Sequence, residues 1–343
     1  MISASKLFQA LAEGLSPRQK EVITGRFGLE KFKEPQTLAA LGSKYGVTRE
    51  RVRQIEASAL TDLRAKIGKD QASQDLVQRI RKFLGASGGV APQEALLAHT
   101  NTFSDGMTEN HLNLFLEASR SFYRHPENKN FRPFYYLDKD SLKAANAFLT
   151  QWASQLKNRK EEILKGGYAA ELASFVKKSG AANDHAETYL AISKRIGANA
   201  YGDQGLTEWP EIQPRTVRDR IYLALKKKNE PLHFRSIATI INQFNAKARP
   251  ASAPTVHNEL IKDSRFVLVG RGMYGLAEHG YEPGTAREVI HRVLKRNGAL
   301  KPRDVMLAVQ KERFFKPNTI LVNLQNKNFF RRQPDGTYKV REA

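Results

Sequence analysis

Four polar residues with the chemistry to read DNA bases cluster near the start of one predicted helix, which runs from 49 to 64. The cluster consists of Arg49, Glu50, Arg53 and Gln54. Arginine can grip guanine with two hydrogen bonds, glutamine can do the same with adenine, and glutamate can accept from cytosine. Spacing of three and four residues places the cluster on the outer face of the helix, while apolar residues pack inward. The alternative is an ordinary solvated helix face that carries charges at helical spacing.

The segments before this helix are those of a helix-turn-helix. Ser16 and Gln19 have the spacing of a capping box at the start of a first helix, and Gly28 is placed to end it. A second, short helix opens at Thr37 and ends at Gly46. A tight turn then leads into the long helix. Two helices joined in this way predict a helix-turn-helix, whose second helix enters the major groove of DNA.

Residues 15–64 closely resemble the fourth conserved region of primary bacterial sigma factors, which binds the minus-35 promoter element. The resemblance is strongest at Thr37-Leu38 and in the run Val47-Thr48-Arg49-Glu50-Arg51-Val52-Arg53-Gln54-Ile55-Glu56. It implies that the residues facing the bases are Arg49, Glu50, Arg53 and Gln54. It implies that Arg18, Arg26 and Arg51 lie towards the phosphate backbone, and we predict phosphate contacts from Thr37 and Lys44 as well. The family region also docks on a flexible flap of RNA polymerase, so the implied partners are double-stranded DNA and bacterial RNA polymerase.

The position of this region differs from its position in sigma factors. There it lies at the C-terminal end, after an aromatic-rich helical region that melts promoter DNA. Here it begins within the first fifteen or so residues of the sequence. We therefore expect that the chain does not act as a stand-alone sigma factor.

Residues 71–343 have the pattern of repeated modules. Two sets of residues match at a constant shift of 64, namely Leu260, Phe266, Gly272 and Tyr274 with Leu324, Phe330, Gly336 and Tyr338. In each set the Leu closes a helix, the Phe starts a strand, the Gly makes a hairpin turn and the Tyr lies on the returning strand. Three helical stretches precede each hairpin, which is the winged-helix plan. The sequence predicts a mainly α fold, with a helix-turn-helix followed by tandem winged-helix (α+β) modules.

We predict five domains along the chain. They are a helix-turn-helix at 1–70, a winged helix at 74–140, a degenerate winged helix at 141–212, a further winged helix at 213–280 and a basic winged helix at 283–343. The domain at 213–280 resembles a HARE-type helix-turn-helix in the runs 214–221, 230–238 and 272–276. That family occurs in the delta subunit of bacterial RNA polymerase, in some restriction endonucleases and in eukaryotic chromatin proteins. The resemblance implies binding to DNA or to transcription machinery, and no catalysis.

The charge of the chain points to a polyanionic partner. It carries 56 Lys and Arg against 35 Asp and Glu, a formal net charge of +21. Such a surface attracts nucleic acid because neutralised phosphates release their counterions. From Pro283 onwards fourteen basic residues face five acidic ones. We predict a second phosphate-binding patch there, formed by Lys311, Arg313, Lys316, Lys327, Arg331 and Arg332, with a solvated basic surface as the alternative.

Several chemistries find no support in the sequence. There is no cysteine, the eight histidines are scattered, and the glycine pairs lack the lysine of a P-loop. We therefore predict no catalytic residues, no metal site, no cofactor and no small-molecule substrate. The N-terminal residues lack the pattern of a signal peptide and no stretch has the length of a membrane span. The expected location is the cytoplasm, at the nucleoid.

Two main classes of function remain open. The first is a transcription regulator that reads promoter DNA through its sigma-like helix and associates with RNA polymerase. The second is a nucleoid-associated or architectural protein whose several helix-turn-helix units bind DNA weakly and without strong sequence preference. A third, the recognition arm of a restriction or defence system, requires a partner nuclease.

Overall fold

The computed structural model describes residues 2–29, 34–244 and 249–341 of the chain. These residues form a mainly helical protein with small, mostly antiparallel sheets, which confirms the predicted fold class. The chain divides into two compact units. The first unit is Met1–Gly197 with Gln204–Thr207, and the second is Ala198–Asp203 with Glu208–Ala343.

The first unit begins with the helix-turn-helix. Its elements are β1 (Ile2–Ser3), α1 (Ala4–Ala12), α2 (Pro17–Phe27), α3 (Leu38–Tyr45) and α4 (Arg49–Ile67), followed by α5 (Gln71–Ala86). The predicted capping box is present: the Ser16 hydroxyl accepts from the Gln19 amide at 3.3 Å, and the Gln19 side chain accepts from the Ser16 amide at 2.8 Å. Gly28 and Gly46 end α2 and α3 in the left-handed conformation, as predicted.

A small sheet and two helices follow. They are β2 (Val90–Pro92), α6 (Gln93–Thr100), β3 (Ser104–Asp105), α7 (Glu109–Ser119), β4 (Tyr123–His125) and β5 (Phe134–Tyr136). The sheet has the antiparallel order β2-β5-β4. β3 pairs in parallel with β1, which brings the start of the chain onto this part of the unit.

The hydrophobic core of the helix-turn-helix continues into this next segment. Leu7 of α1, Phe27 of α2 and Leu63 of α4 belong to the same buried cluster as Leu112 and Phe115 of α7. A separate small cluster, Val22, Leu41 and Val52, holds α3 against its neighbours. The predicted boundary between residues 70 and 74 therefore crosses a continuous core, and the five-domain division remains a proposal.

The remainder of the first unit is helical. It contains α8 (Lys139–Asn158), the short α9 (Lys160–Glu162), a π-helical segment Ile163–Gly167, α10 (Tyr168–Ser179) and α11 (Asn183–Ile192). A hairpin of β6 (Ile196–Ala198) and β7 (Gln204–Leu206) follows. A backbone hydrogen bond connects the end of this helical segment to the loop between β4 and β5: the Lys194 amide donates to the Asn130 carbonyl at 2.8 Å.

The second unit contains two copies of a three-helix and hairpin arrangement. The first copy is α12 (Val217–Lys228), β8 (Leu232–His233), α13 (Phe234–Phe244), α14 (Ala253–Lys262), β9 (Phe266–Gly270) and β10 (Met273–Leu276). The second is α15 (Ala286–Asn297), α16 (Pro302–Glu312), α17 (Pro317–Leu324), β11 (Phe330–Arg332) and β12 (Tyr338–Val340). Phe266 and Phe330, 64 residues apart, each start a strand, and Gly272 and Gly336 both take positive φ in the turn. Each copy has its own core.

Candidate nucleic-acid interface

The four predicted base-reading residues lie together on the exposed side of α4. The helix starts where the Thr48 hydroxyl accepts from the Arg51 amide at 3.2 Å, so its first turn is fixed by a cap. Val52 points inward and is fully buried. The side chains of the base-reading set, Arg49, Glu50, Arg53 and Gln54, are exposed. The structure thus brings all four to one solvent-facing surface.

Polar side chains of this surface pair with their neighbours on α4. The Arg53 guanidinium contacts the Glu50 carboxylate at 2.6 to 3.1 Å, and Arg51 donates to the Gln54 side chain at 3.1 Å. The contact between the two charges lowers the pKa of Glu50 and raises the pKa of Arg53. Both side chains are about 60% exposed, at 60% and 59%. A pair so open to water is screened and weak, so a competing partner can replace it without a large cost.

The predicted phosphate contacts divide into two groups. Lys44 and Arg51 are exposed, and Arg51 lines a shallow groove over the turn between α3 and α4. Arg18 instead donates to the Tyr45 carbonyl at 3.1 Å and stacks on the Tyr45 ring at 4.0 Å. Arg26 donates to Glu56 and to the Gln36 carbonyl, both at 3.1 Å. These two arginines already hold the module together.

Thr37 also has a structural role. Its hydroxyl accepts from the Ala40 amide at 3.1 Å and caps α3. Helix capping therefore accounts for a threonine at position 37, directly before α3. A phosphate contact from Thr37 remains a proposal.

The second predicted patch lies mostly on the last hairpin. Lys311, Lys316, Lys327, Arg331 and Arg332 are exposed. Lys327, Arg331 and Arg332 line a groove of about 1010 Å³ along β11 and β12. Arg331 lies directly opposite Lys339 in the register of the hairpin. Like charges in this position repel each other, which favours an anion on that face.

Arg313 must be removed from this patch. The residue is only 2% exposed, and its guanidinium donates to the Gly284 carbonyl at 3.0 Å. Burial and the nearby Arg292 lower its pKa. It fixes the segment before α15 to the end of α16, so a count of charges in the sequence misassigned it.

Two basic residues of the hairpin were missed. Lys339 and Arg341 line the same groove as Arg331. Both lie on or just after the returning strand, two residues apart, and residues at this spacing share one face of a strand. This two-residue spacing is the feature of the sequence from which their shared face could have been predicted.

Among residues 2–29, 34–244 and 249–341 no group of His, Asp or Glu side chains is arranged to hold a metal ion. Within the same residues, no helix is both long and apolar enough to cross a membrane.

The geometry defines the first part of the chain as a helix-turn-helix module with an exposed polar face on its second helix. Residues 11–65 match the family model described as Sigma-70, region 4. This match confirms the resemblance inferred from residues 15–64. It covers a minor part of the chain.

Similar proteins carry the same likeness. The chain is 38% identical over 82 residues to the RNA polymerase sigma factor RpoD of Neisseria gonorrhoeae, covering 24% of this chain and 11% of that protein. It is 46% identical over 57 residues to RpoD of Helicobacter pylori, covering 17% and 8%. The sigma factor sigB of Arabidopsis thaliana is 45% identical over 65 residues, covering 19% and 11%. The chain thus spans about a tenth of the length of these relatives.

Proposed function

We propose that the protein is a DNA-binding transcription regulator that associates with bacterial RNA polymerase and reads a minus-35-like promoter element through α4. The observation that carries the proposal is the placement of Arg49, Glu50, Arg53 and Gln54 on one exposed face, inside a segment that matches sigma region 4. The proposed site of action is the nucleoid in the cytoplasm. We propose no catalytic step.

The base-reading step is an exchange of partners. Arg53 leaves Glu50 and forms two hydrogen bonds with a guanine, while Glu50 becomes free to accept from a cytosine. Phosphate contacts from Lys44 and Arg51 set the register of the helix without selecting a sequence. Because the Glu50–Arg53 pair is solvent-exposed, its loss is small compared with the gain from a bidentate base contact.

RNA polymerase, and its flap in particular, is the second proposed partner. The apolar sides of α2 and α4 formed by Phe27 and Leu63 are buried in the core shared with α7. A polymerase contact on this module therefore uses surface outside that core.

A second candidate function has its own support. The groove along β11 and β12 presents basic side chains that oppose each other across the hairpin, as Arg331 and Lys339 do. Such a surface suits phosphate binding without sequence preference. An architectural role, in which this hairpin contributes to general DNA binding, follows from it.

The experiment compares two variants of the full chain on two duplexes. One duplex carries the sequence enriched from a random library, and the other is a scrambled version of equal length. We expect Arg53→Ala to weaken binding to the enriched duplex by about tenfold to a hundredfold and to leave the scrambled duplex almost unaffected. The double variant Arg331→Ala/Arg332→Ala should weaken both duplexes alike and reduce the salt slope by about two.

The outcomes separate the two functions. If Arg53→Ala leaves the ratio of the two affinities unchanged, α4 does not read bases and the architectural function is favoured. Association with polymerase is tested by pull-down with purified core enzyme after nuclease treatment. Retention supports a polymerase-bound regulator, whereas loss means that DNA was the only link.

A further inference from the structure

A second candidate site lies between α4, α7 and β4, away from the base-reading residues. It is a cleft of about 710 Å³, a volume within the range of small-molecule sites. We call it the arginine cleft because Arg26, Arg64, Arg120 and Arg124 line it. Leu60 and Phe122 contribute apolar wall. Of these four arginines only Arg26 is among the phosphate contacts predicted from the sequence, and its guanidinium is held by Glu56.

Arg120 is the unexplained residue of the cleft. It ends α7 in the left-handed conformation, with φ 52° and ψ 25°. Glycine and asparagine are the usual residues there, because other side chains crowd their own backbone. In the part of the chain that the structure describes, the Arg120 side chain makes no hydrogen bond and no ion pair. A strained backbone that holds a free cation at a cleft points to a ligand.

Arg64 is held close to Arg120. Its guanidinium donates to the Ala118 carbonyl at 2.9 Å, at the end of α7. Ala118 is two residues before Arg120, and both arginines line the same cleft, so their like charges repel each other. Burial and the charge of Arg120 lower the pKa of Arg64. An anion between them would remove that repulsion and satisfy the remaining donors.

The acidic residues of the cleft do not fill this role. Glu109 contacts Arg124 at 3.6 Å, and Arg124 is also held by the Gln93 side chain at 3.0 Å. Glu117 lines the cleft as well, but among the described residues it forms no ion pair with Arg120. The positive charge of Arg120 is therefore left for an external anion.

An aromatic platform borders the same cleft. The Tyr123 ring is stacked on Tyr136, with ring centroids 5.3 Å apart and planes inclined by 23°. Tyr123 is nevertheless 50% exposed, so part of its ring surface is open to solvent. Exposed aromatic rings next to arginines are a common means of binding nucleic-acid bases by stacking.

We propose that the arginine cleft binds a nucleoside phosphate, with the base stacked on Tyr123 and the phosphate held between Arg64 and Arg120. The same chemistry is offered by a free nucleotide and by one nucleotide of an unpaired DNA or RNA strand. A duplex hides its bases in the stack, so this site is distinct from the one that reads base edges through α4.

The test uses the full chain with two probes, adenosine 5′-monophosphate and a fluorescent twelve-nucleotide single strand. Arg120→Gly removes the guanidinium and relaxes the left-handed backbone, so it should keep or raise the thermal stability while weakening binding at least tenfold. Asn229→Gly is the matched control, since Asn229 ends α12 with a similar φ of 53° and lies outside the cleft. Tyr123→Leu should weaken binding by roughly tenfold through lost stacking.

Saturable binding of the mononucleotide, lost in Arg120→Gly and kept in Asn229→Gly, would support a free nucleotide as the ligand. Binding of the single strand alone, with the same response to both variants, would support an unpaired strand. The proposal is overturned if neither probe binds, if Arg120→Gly binds both as the unaltered chain does, or if an acidic peptide displaces the probes and shows the same dependence on Arg120. Binding of the enriched duplex should be unchanged in Arg120→Gly, which separates this result from that of Arg53→Ala.

Discussion

The continuous core makes a prediction about how the helix-turn-helix unfolds. Leu63 lies on α4, is 3% exposed, and belongs to the cluster that includes Phe115 of α7. Val52 lies on the same helix but belongs to the small cluster that holds α3. Truncating Leu63 should therefore weaken α2, α4 and α7 together, whereas truncating Val52 should weaken the packing of α3 against α2 and α4 and leave α7 unaffected.

The size of the effect follows from burial. A buried Leu→Ala substitution costs about 2–5 kcal/mol, because apolar contact is lost and a cavity remains. The free energy of unfolding of a unit of this size should fall by about 3 kcal/mol per molar urea. Leu63→Ala should therefore lower the urea concentration at the midpoint of unfolding of the first unit by about 1 M.

Hydrogen exchange of backbone amides, followed by mass spectrometry, measures the response segment by segment. In Leu63→Ala we expect peptides from both α2 and α7 to exchange faster by a similar factor. In the control variant Val52→Ala, peptides from α3 should respond and those from α7 should not. Faster exchange of α2 with no change in α7 would refute a shared core and favour the predicted boundary after residue 70.

Two further predictions concern the same unit. A Cβ on Gly42 would lie 2.7 Å from the Val47 carbonyl oxygen, so Gly42→Ala should destabilise the turn by about 1–3 kcal/mol, measured by urea unfolding. Gly46→Ala, with open space around its Cβ but a positive φ, serves as its control and should cost about 1–2 kcal/mol through backbone strain alone. The His111 ring stacks on Phe8 with ring centroids 4.8 Å apart, and burial lowers the pKa of His111. As the pH falls, this histidine is therefore protonated in the unfolded chain before it is protonated in the folded chain. The free energy of unfolding should decrease as the pH drops below about 6.5. His111→Gln should reduce the loss of urea midpoint between pH 7.5 and 5.5, and an equal loss in both chains would contradict this assignment.

The local features of the fold could be predicted because each depends on a few neighbouring residues. The capping box at Ser16, the glycine ends of α2 and α3, and the paired hairpins at Phe266 and Phe330 all have this character. The α1 helix and its core with α7 could not be predicted, since residues from 4 to 135 meet in that core. Periodicity shows that a face is apolar, but it does not say which other face covers it.

The site residues show the same division. Helical spacing predicts that the four candidate base-reading side chains on α4 are exposed, and all four are exposed in the structure. The roles of Arg18, Arg26 and Arg313 depend on carbonyl groups supplied by distant or irregular segments, at Tyr45, Gln36 and Gly284. Arginine carries five donors and finds such carbonyls readily, so a count of basic residues overstates the charge available for phosphates.

The core also constrains how the sigma-like segment can work. α4 runs without interruption from Arg49 to Ile67, so Gln54 and Arg64 lie on one rigid element, about 15 Å apart along its axis. Its later half is fixed by the core shared with α7 and by the bond from Arg64 to Ala118. The proposed base-reading face is therefore carried by the whole first part of the unit, and not by a module that turns on a linker. If α4 reads bases as proposed, the helix adapts to DNA by exchange of side-chain partners at Glu50 and Arg53 rather than by reorientation.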